Sequence, residues 1–143
     1  MPPYPLPTGM ATSLYAANHG NKVLKSNTQG IARYHQPYKM AGISPVDSVT
    51  YLDIVVTGSD KEIFVHAINR HFSSNISCKL SLMGWQKISE NATLMSMVEN
   101  QGCNPDNNWA ACIRSEELKI NPENMVITFP KKSVSVLRVS VKE

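Results

Sequence analysis

The most regular feature of the chain is a strict alternation of apolar and polar side chains between positions 76 and 82. The apolar positions are Ile76, Cys78, Leu80 and Leu82, and serine or lysine fills each position between them. Successive side chains of a strand point to opposite faces of a sheet, so a period of two is typical of a strand with one buried face. The pattern therefore predicts a strand whose apolar side chains point inward.

Other segments carry strand patterns of their own. Residues 50–57 and 62–69 are rich in β-branched and aromatic side chains and flank the turn sequence Gly58-Ser59-Asp60, which predicts two consecutive strands. Residues 125–129 and 133–141 are predicted to form the last hairpin of the chain, joined by Pro130-Lys-Lys132. Weaker strand candidates are residues 22–27, 31–38, 92–98 and 115–120.

These segments give seven to nine short strands with frequent turn signals between them. Such a series is typical of an all-β protein whose antiparallel strands form two stacked sheets. We therefore predict an antiparallel β-sandwich of the Greek-key or jelly-roll type, with one short N-terminal helix.

The helix is predicted from residues 9–19, the one stretch with apolar side chains at helical spacing. Thr8 is the expected N-terminal cap, and Gly20 is expected just beyond the C-terminus. We divide the chain accordingly into a lead-in with this helix, residues 1–20, and a β-sandwich domain, residues 21–143.

Composition limits the classes of function. The 143 residues suit one domain, and the net charge of +3 comes from scattered rather than clustered lysines and arginines. That distribution argues against a nucleic-acid-binding surface. No apolar run is long enough for a membrane span. The proline-rich start lacks the features of a signal peptide, and we interpret it as a lead-in, or as part of something longer.

The cysteines and glycosylation sequons point to a secretory origin. Cys103 and Cys112 flank a turn-rich loop, where a disulfide is plausible if the chain is secreted. The sequences beginning at Asn75 and Asn91 match the acceptor pattern for N-glycosylation, each beside a predicted turn. Cys78 is predicted to be a buried apolar residue. We expect an extracellular rather than a cytoplasmic protein.

No group of residues has the spacing of a catalytic, metal or cofactor site. Metal-binding histidine motifs and nucleophile motifs are missing from the sequence. His66 is interpreted as a structural histidine with its hydrogen bonds satisfied, and Asp53 as an outward-facing strand residue. Among the aromatic side chains Tyr34, Tyr38, Trp85 and Trp109, we expect Trp109 to be the most exposed, and it is the candidate for stacking on a sugar.

Three segments together resemble a known family. They are Tyr51-Leu52-Asp53-Ile-Val-Val-Thr57, Ile63-Phe-Val-His-Ala-Ile-Asn69-Arg70-His71, and the closing Pro130-Lys-Lys-Ser133-Val-Ser-Val-Leu137-Arg138-Val139. They are similar to the C-terminal β-sandwich domain of α-L-arabinofuranosidases of glycoside hydrolase family 51. Residues 10–25 look like the last helix of the catalytic barrel of such an enzyme, leading into the first strand of the sandwich.

The resemblance implies a non-catalytic accessory domain whose partner is a (β/α)₈ barrel that releases terminal arabinofuranosyl groups from plant polysaccharides. No residue here corresponds to the catalytic glutamates of the family, so no catalytic residue is assigned. We expect the barrel-facing surface, including Leu14 and Tyr15, to be partly exposed in the isolated chain and to favour self-association. The alternative is a stand-alone carbohydrate-binding module that uses Trp109 and nearby tyrosines. An immunoglobulin-like interaction domain is disfavoured, because the Cys…Trp…Cys spacing is missing.

Overall fold

A computed structural model describes residues 6–39, 41–85, 87–101, 103 and 109–142. This part of the chain contains one helix, α1 (Pro7–Ala17), and ten strands. The strands are β1 (Lys22–Leu24), β2 (Arg33–Gln36), β3 (Val46–Thr50), β4 (Leu52–Gly58), β5 (Glu62–Asn69), β6 (Ile76–Leu80), β7 (Ile88–Glu99), β8 (Ala111–Lys119), β9 (Met125–Phe129) and β10 (Ser133–Val141). Within the described residues, no helix is long and apolar enough to cross a membrane.

Six strands form one antiparallel sheet in the order β1-β4-β5-β10-β7-β8. Strands β6 and β9 pair with each other in a second layer, and β2 pairs with β3 in a separate two-stranded ribbon. After β5 the chain crosses to the second layer as β6 and returns to the large sheet as β7. After β8 it crosses again as β9 and returns as β10. Strand β10 enters last, between β5 and β7.

The main hydrophobic core lies between the large sheet and the β6–β9 pair. Alternate residues of each strand point into it, as the period of two requires. Its most completely buried members are Leu52, Val65, Ala67, Met125, Ile127, Phe129, Leu137 and Val139. Cys78 belongs to the same core and is a free buried thiol, whose pKa is raised by burial.

The opposite face of the large sheet, called the outer face below, is covered in part by α1. Leu14 packs there against Phe64 of β5 and Val136 of β10, with Tyr15, Met95 and Met97 at the margin. The large sheet therefore buries residues on both faces. This explains why β5 reads as an almost continuous apolar run rather than as an alternating one.

The predicted all-β sandwich is confirmed. Strands β5, β9 and β10 have the predicted limits, whereas β3 lies in a stretch that the sequence left irregular. The predicted hairpin of residues 125–129 and 133–141 is wrong, because β9 pairs with β6 and β10 pairs with β5 and β7. Pro130–Lys132 is a corner that moves the chain between layers, with Lys132 in the left-handed region at φ 47°.

The predicted helix ends are also corrected. Helix α1 begins at Pro7, whose missing N–H suits the first turn, and Leu6 precedes it without a side-chain cap. Asn18 ends the helix, so Gly20 lies beyond the cap. Glycine is needed at position 20 for a different reason, because a Cβ atom there would collide with the backbone of Gly58. The N–H of Gly20 donates to Thr57 Oγ1 (2.9 Å), which fixes this close approach.

Candidate functional site

A groove lies between α1 and the outer face of the large sheet. It has a volume of about 590 Å³. This outer groove is lined by Thr12, Tyr15, Ala16 and His19 from the helix side, and by Asp53, Val55, Thr57, His66 and Ile68 from β4 and β5. The helix supplies one wall, since Leu14 anchors it on Phe64 and Val136.

Two apolar side chains on the sheet side of the outer groove lack a cover. Val55 is 52% exposed and Ile68 is 36% exposed, although both lie on central strands of the sheet. Strand register extends this apolar surface, because Ile68 stands beside Val134, Val134 beside Met97, and Met97 beside Ile113. An apolar row thus crosses four strands next to the helix, and it suits contact with another apolar surface.

His66 lies at the buried side of the outer groove. Its Nε2 is 3.0 Å from Thr57 Oγ1, and the ring of Tyr15 meets it edge-on with 4.8 Å between centroids. Its buried Nδ1 has no partner among the described atoms, so the expectation of a fully satisfied histidine is wrong. Burial lowers the pKa of His66, and the nearby His19 lowers it further. The ring is therefore held in its neutral form.

Asp53, which lines the outer groove, forms an ion pair with Arg70. Arg70 donates from Nη2 to Asp53 Oδ2 and from Nη1 to the carbonyl oxygen of Thr50 (3.0 Å), while the Thr50 hydroxyl donates to Asp53 Oδ1 (2.8 Å). The hydrogen bond from Arg70, together with that from Thr50, lowers the pKa of Asp53. Asp53 is thus a half-buried ion-pair partner on the outer face, held as a carboxylate, and not a proton donor.

The Asn69-Arg70-His71 sequence forms a corner at the end of β5. Asn69 is buried, and its Nδ2 donates to the carbonyl oxygens of Phe129 (3.1 Å) and Ser74 (3.3 Å). The ring of His71 accepts the N–H groups of Ser73 and Ser74 at Nδ1 and so stabilises the turn after β5. All three side chains of the sequence therefore stabilise the corner.

Among the described residues, those that line the outer groove do not supply the pair of acids that hydrolysis of a glycoside needs. Such a reaction uses two carboxyl groups on opposite sides of the bond, and Asp53 is the only acid that lines the outer groove. Among the described residues, no group of three or more His, Cys, Asp or Glu side chains could hold a metal ion.

Cys103 and Trp109 lie in the connection between β7 and β8, and Cys112 is the second residue of β8. Cys103 and Cys112 are joined in a disulfide with 6.6 Å between their Cα atoms. Trp109 is half-buried, and its carbonyl oxygen accepts a hydrogen bond from Asn100 Nδ2 (2.9 Å). The expectation that Trp109 is the most exposed of the four aromatic candidates is wrong, since Tyr38 is 70% exposed.

The two sequon asparagines are both exposed. Asn75 lies just before β6, and its Oδ1 accepts the N–H of Lys131 (3.0 Å). Asn91 lies within β7, opposite Lys119, rather than beside a turn as predicted. Both side chains are accessible from solvent.

No protein-family model matches the sequence, and no curated protein sequence matches it. Several solved structures match its fold. The structure of the GH51 α-L-arabinofuranosidase from Thermotoga petrophila is similar over 87% of this chain with a TM-score of 0.66 and 19% identity. An arabinose-bound structure of the GH51 α-L-arabinofuranosidase MgGH51 is similar over 95%, with a TM-score of 0.67 and 19% identity. The α-L-arabinofuranosidase from Thermotoga maritima is similar over 86%, with a TM-score of 0.62 and 21% identity.

The match covers only part of these enzymes. This chain corresponds to 27% of the length of the Thermotoga petrophila enzyme and to 19% of MgGH51. The chain therefore has the fold of one domain of GH51 α-L-arabinofuranosidases, as the three sequence segments indicate.

Proposed function

We propose that this chain is the non-catalytic, C-terminal accessory β-sandwich of an α-L-arabinofuranosidase-like glycoside hydrolase. The observation that carries the proposal is the match of nearly the whole chain to about a quarter or less of solved arabinofuranosidases. The parent reaction would be the release of terminal arabinofuranosyl groups from plant polysaccharides. The catalytic partner would be a (β/α)₈ barrel.

The outer groove supports a docking role for the outer face. The core face of the large sheet is already covered by the β6–β9 pair. The exposed apolar side chains of this sheet that could contact a partner therefore lie on the outer face. Leu14 is buried against the sheet, which corrects the expectation that it is partly exposed. Tyr15 remains half-buried at the groove. The proposed barrel contact therefore centres on Tyr15, Val55 and Ile68.

A secretory origin is part of the proposal. The disulfide between Cys103 and Cys112 suits an oxidising compartment. The exposure of Asn75 and Asn91 suits glycosylation in the same pathway. Intact-mass measurement of the protein from a eukaryotic secretory host, before and after removal of N-glycans, would test whether either site is used.

Two matched substitutions test the docking surface. Val55 of β4 and Val126 of β9 are 52% and 55% exposed, but only Val55 lies on the outer face. In the parent hydrolase, Val55→Asp is expected to lower the temperature of half-inactivation by several degrees and Val126→Asp to leave it nearly unchanged. In the isolated sandwich, both substitutions are expected to have similar small effects. Equal effects of the two in the parent would contradict docking through the outer face.

Activity of the isolated chain tests the non-catalytic role. We expect the purified 143-residue chain to show no turnover of an aryl arabinofuranoside, because the outer groove is lined by one acid, Asp53, and not by the pair of carboxyl groups that hydrolysis uses. Measurable turnover that survives further purification would overturn the proposal. Binding of the chain to arabinoxylan, lost in Trp109→Ala, would instead identify a stand-alone carbohydrate-binding module.

A further inference from the structure

Strand β8 is one of the two edge strands of the six-stranded sheet, and the three-residue strand β1 is the other. Strand β8 is nine residues long and, among the described strands, pairs only with β7. Residues 113–117 are all exposed. An edge strand presents alternate backbone N–H and C=O groups that no neighbour satisfies, and it can therefore pair with another chain.

Charged side chains usually prevent such pairing, because like charges meet when two identical edges come together. In β8 the charges have a different order. Arg114 and Glu116 stand on either side of Ser115, and Ser115 is the midpoint of the strand from Ala111 to Lys119. A twofold axis through Ser115 and perpendicular to the sheet would therefore bring Arg114 of each copy opposite Glu116 of the other.

The charges also select this register over its neighbours. A twofold axis perpendicular to the sheet leaves each side chain on the same face of the sheet. Directly opposite residues must share a face, and neighbouring residues of a strand do not, so the axis must pass beside a residue and not between two residues. An axis through Arg114 places two arginines opposite each other, and an axis through Glu116 places two glutamates opposite each other. The axis through Ser115 gives two opposite-charge pairs, and it also centres the overlap on the exposed residues 113–117.

We propose that the β8 edge is a self-complementary dimerisation surface whose partner is a second copy of this chain. The two copies would pair antiparallel about Ser115 and form one continuous twelve-stranded sheet. Each copy would contribute the outward N–H and C=O groups of β8 and one half of each Arg114–Glu116 pair. The apolar row beside the outer groove reaches Ile113 of β8, but the groove itself is lined from α1, His19, β4 and β5, so the dimer leaves Tyr15, Val55 and Ile68 free.

Charge reversal is the direct test, read by sedimentation equilibrium of the full chain. The unaltered chain is expected to dimerise. Arg114→Glu and Glu116→Arg each create two like-charge pairs, and each is expected to raise the dimer dissociation constant at least about tenfold. The double variant Arg114→Glu/Glu116→Arg restores both opposite-charge pairs and is expected to recover the dimer.

A matched control changes the same charge elsewhere. Lys79 is exposed on β6, and Lys79→Glu is expected to leave the dissociation constant unchanged. A chain that stays monomeric at all concentrations would overturn the proposal. A dimer that is insensitive to Arg114→Glu, or that the double variant does not restore, would overturn it as well.

Crosslinking tests the position of the twofold axis. Directly opposite residues of antiparallel strands have Cα atoms about 4.5–5.5 Å apart, which suits a disulfide. Ser115→Cys is expected to give a covalent dimer on mild oxidation, since Cys78 is buried and the other two cysteines are bridged. Ser140→Cys, exposed on the central strand β10, is expected to stay monomeric. Equal crosslinking of the two variants would contradict the proposed register.

Discussion

Asn69 shows how a single polar side chain can join the two layers of the sandwich. It ends β5 in the large sheet, yet its amide reaches the carbonyl oxygen of Phe129 at the end of β9 in the second layer. Its own Oδ1 accepts the N–H of His71 (2.9 Å). Both ends of this buried amide are hydrogen-bonded to backbone groups, the Nδ2 end to Phe129 and Ser74 and the Oδ1 end to His71.

Replacement of Asn69 is therefore expected to be costly. Asn69→Ala leaves the Phe129 carbonyl and the His71 N–H without their partner, which should lower the free energy of unfolding by about 2–4 kcal/mol. The matched control is Asn91→Ala on the exposed side of β7, expected to change stability by less than about 0.5 kcal/mol. Urea denaturation of both variants measures the difference. Equal stabilities would show that the corner is not held by Asn69.

His66 makes stability depend on pH in a defined window. Its pKa is below the ordinary 6.5 because of burial, so the unfolded chain binds its proton first as pH falls. Stability from this group is complete above pH 6.5 and is lost as pH falls through 6.5 toward the lowered folded pKa. The free energy of unfolding should therefore decrease between pH 7 and pH 5.

A substitution isolates the contribution of His66. In His66→Phe, the other three histidines are unchanged, and the decrease in stability between pH 7 and pH 5 should become smaller. Denaturation curves of both proteins at several pH values provide the comparison. An identical pH dependence of the two would mean that His66 can be protonated in the folded state without cost.

At the scale of elements, the disulfide fixes the connection between β7 and β8. It joins Cys103 to Cys112, the second residue of β8. The bridge closes a ring of ten residues, for which loop entropy predicts a stabilisation of about 2–3 kcal/mol.

Loss of the bridge is expected to lower the free energy of unfolding by about that amount. Cys103→Ser is the suitable variant, because Cys103 is exposed while Cys112 is buried. Reducing agent should destabilise the unaltered chain and have no further effect on Cys103→Ser. Destabilisation of the variant by reducing agent would point to a different pairing.

At the scale of the molecule, α1 and the main core pack on opposite faces of the same large sheet. Phe64 and Val136 contact the helix, while their neighbours Val65 and Leu137 face the main core. The same strands thus carry both clusters. We expect the helix and the sandwich to unfold together, even though the sequence suggested a boundary between residues 20 and 21.

Deletion of residues 1–20 tests this expectation. It uncovers the apolar residues beneath Leu14 and should lower the free energy of unfolding by about 3 kcal/mol or more. Leu6→Ala, an exposed change within the same segment, should be nearly neutral. An unaltered stability after the deletion would support an independent lead-in segment.

The sequence by itself determined where most strands lie and that they form an all-β sandwich. Side-chain alternation and turn residues are local properties, so β5, β9 and β10 were predicted with their limits, and the alternation at Cys78 identified an inward side chain. Strand β3 was missed, because its residues are mostly exposed and show no inward pattern.

Only the tertiary structure decided which strands pair and what the outer face carries. Pairing joins residues far apart in the chain, so proximity wrongly placed β9 and β10 in one hairpin. The packing of α1 on the outer face decides the environment of His66 and forms the groove beside Tyr15. The stacking of the β6–β9 pair on the large sheet decides that Asn69 can reach Phe129. Alternation records which side of a strand faces inward, but not which element covers that side.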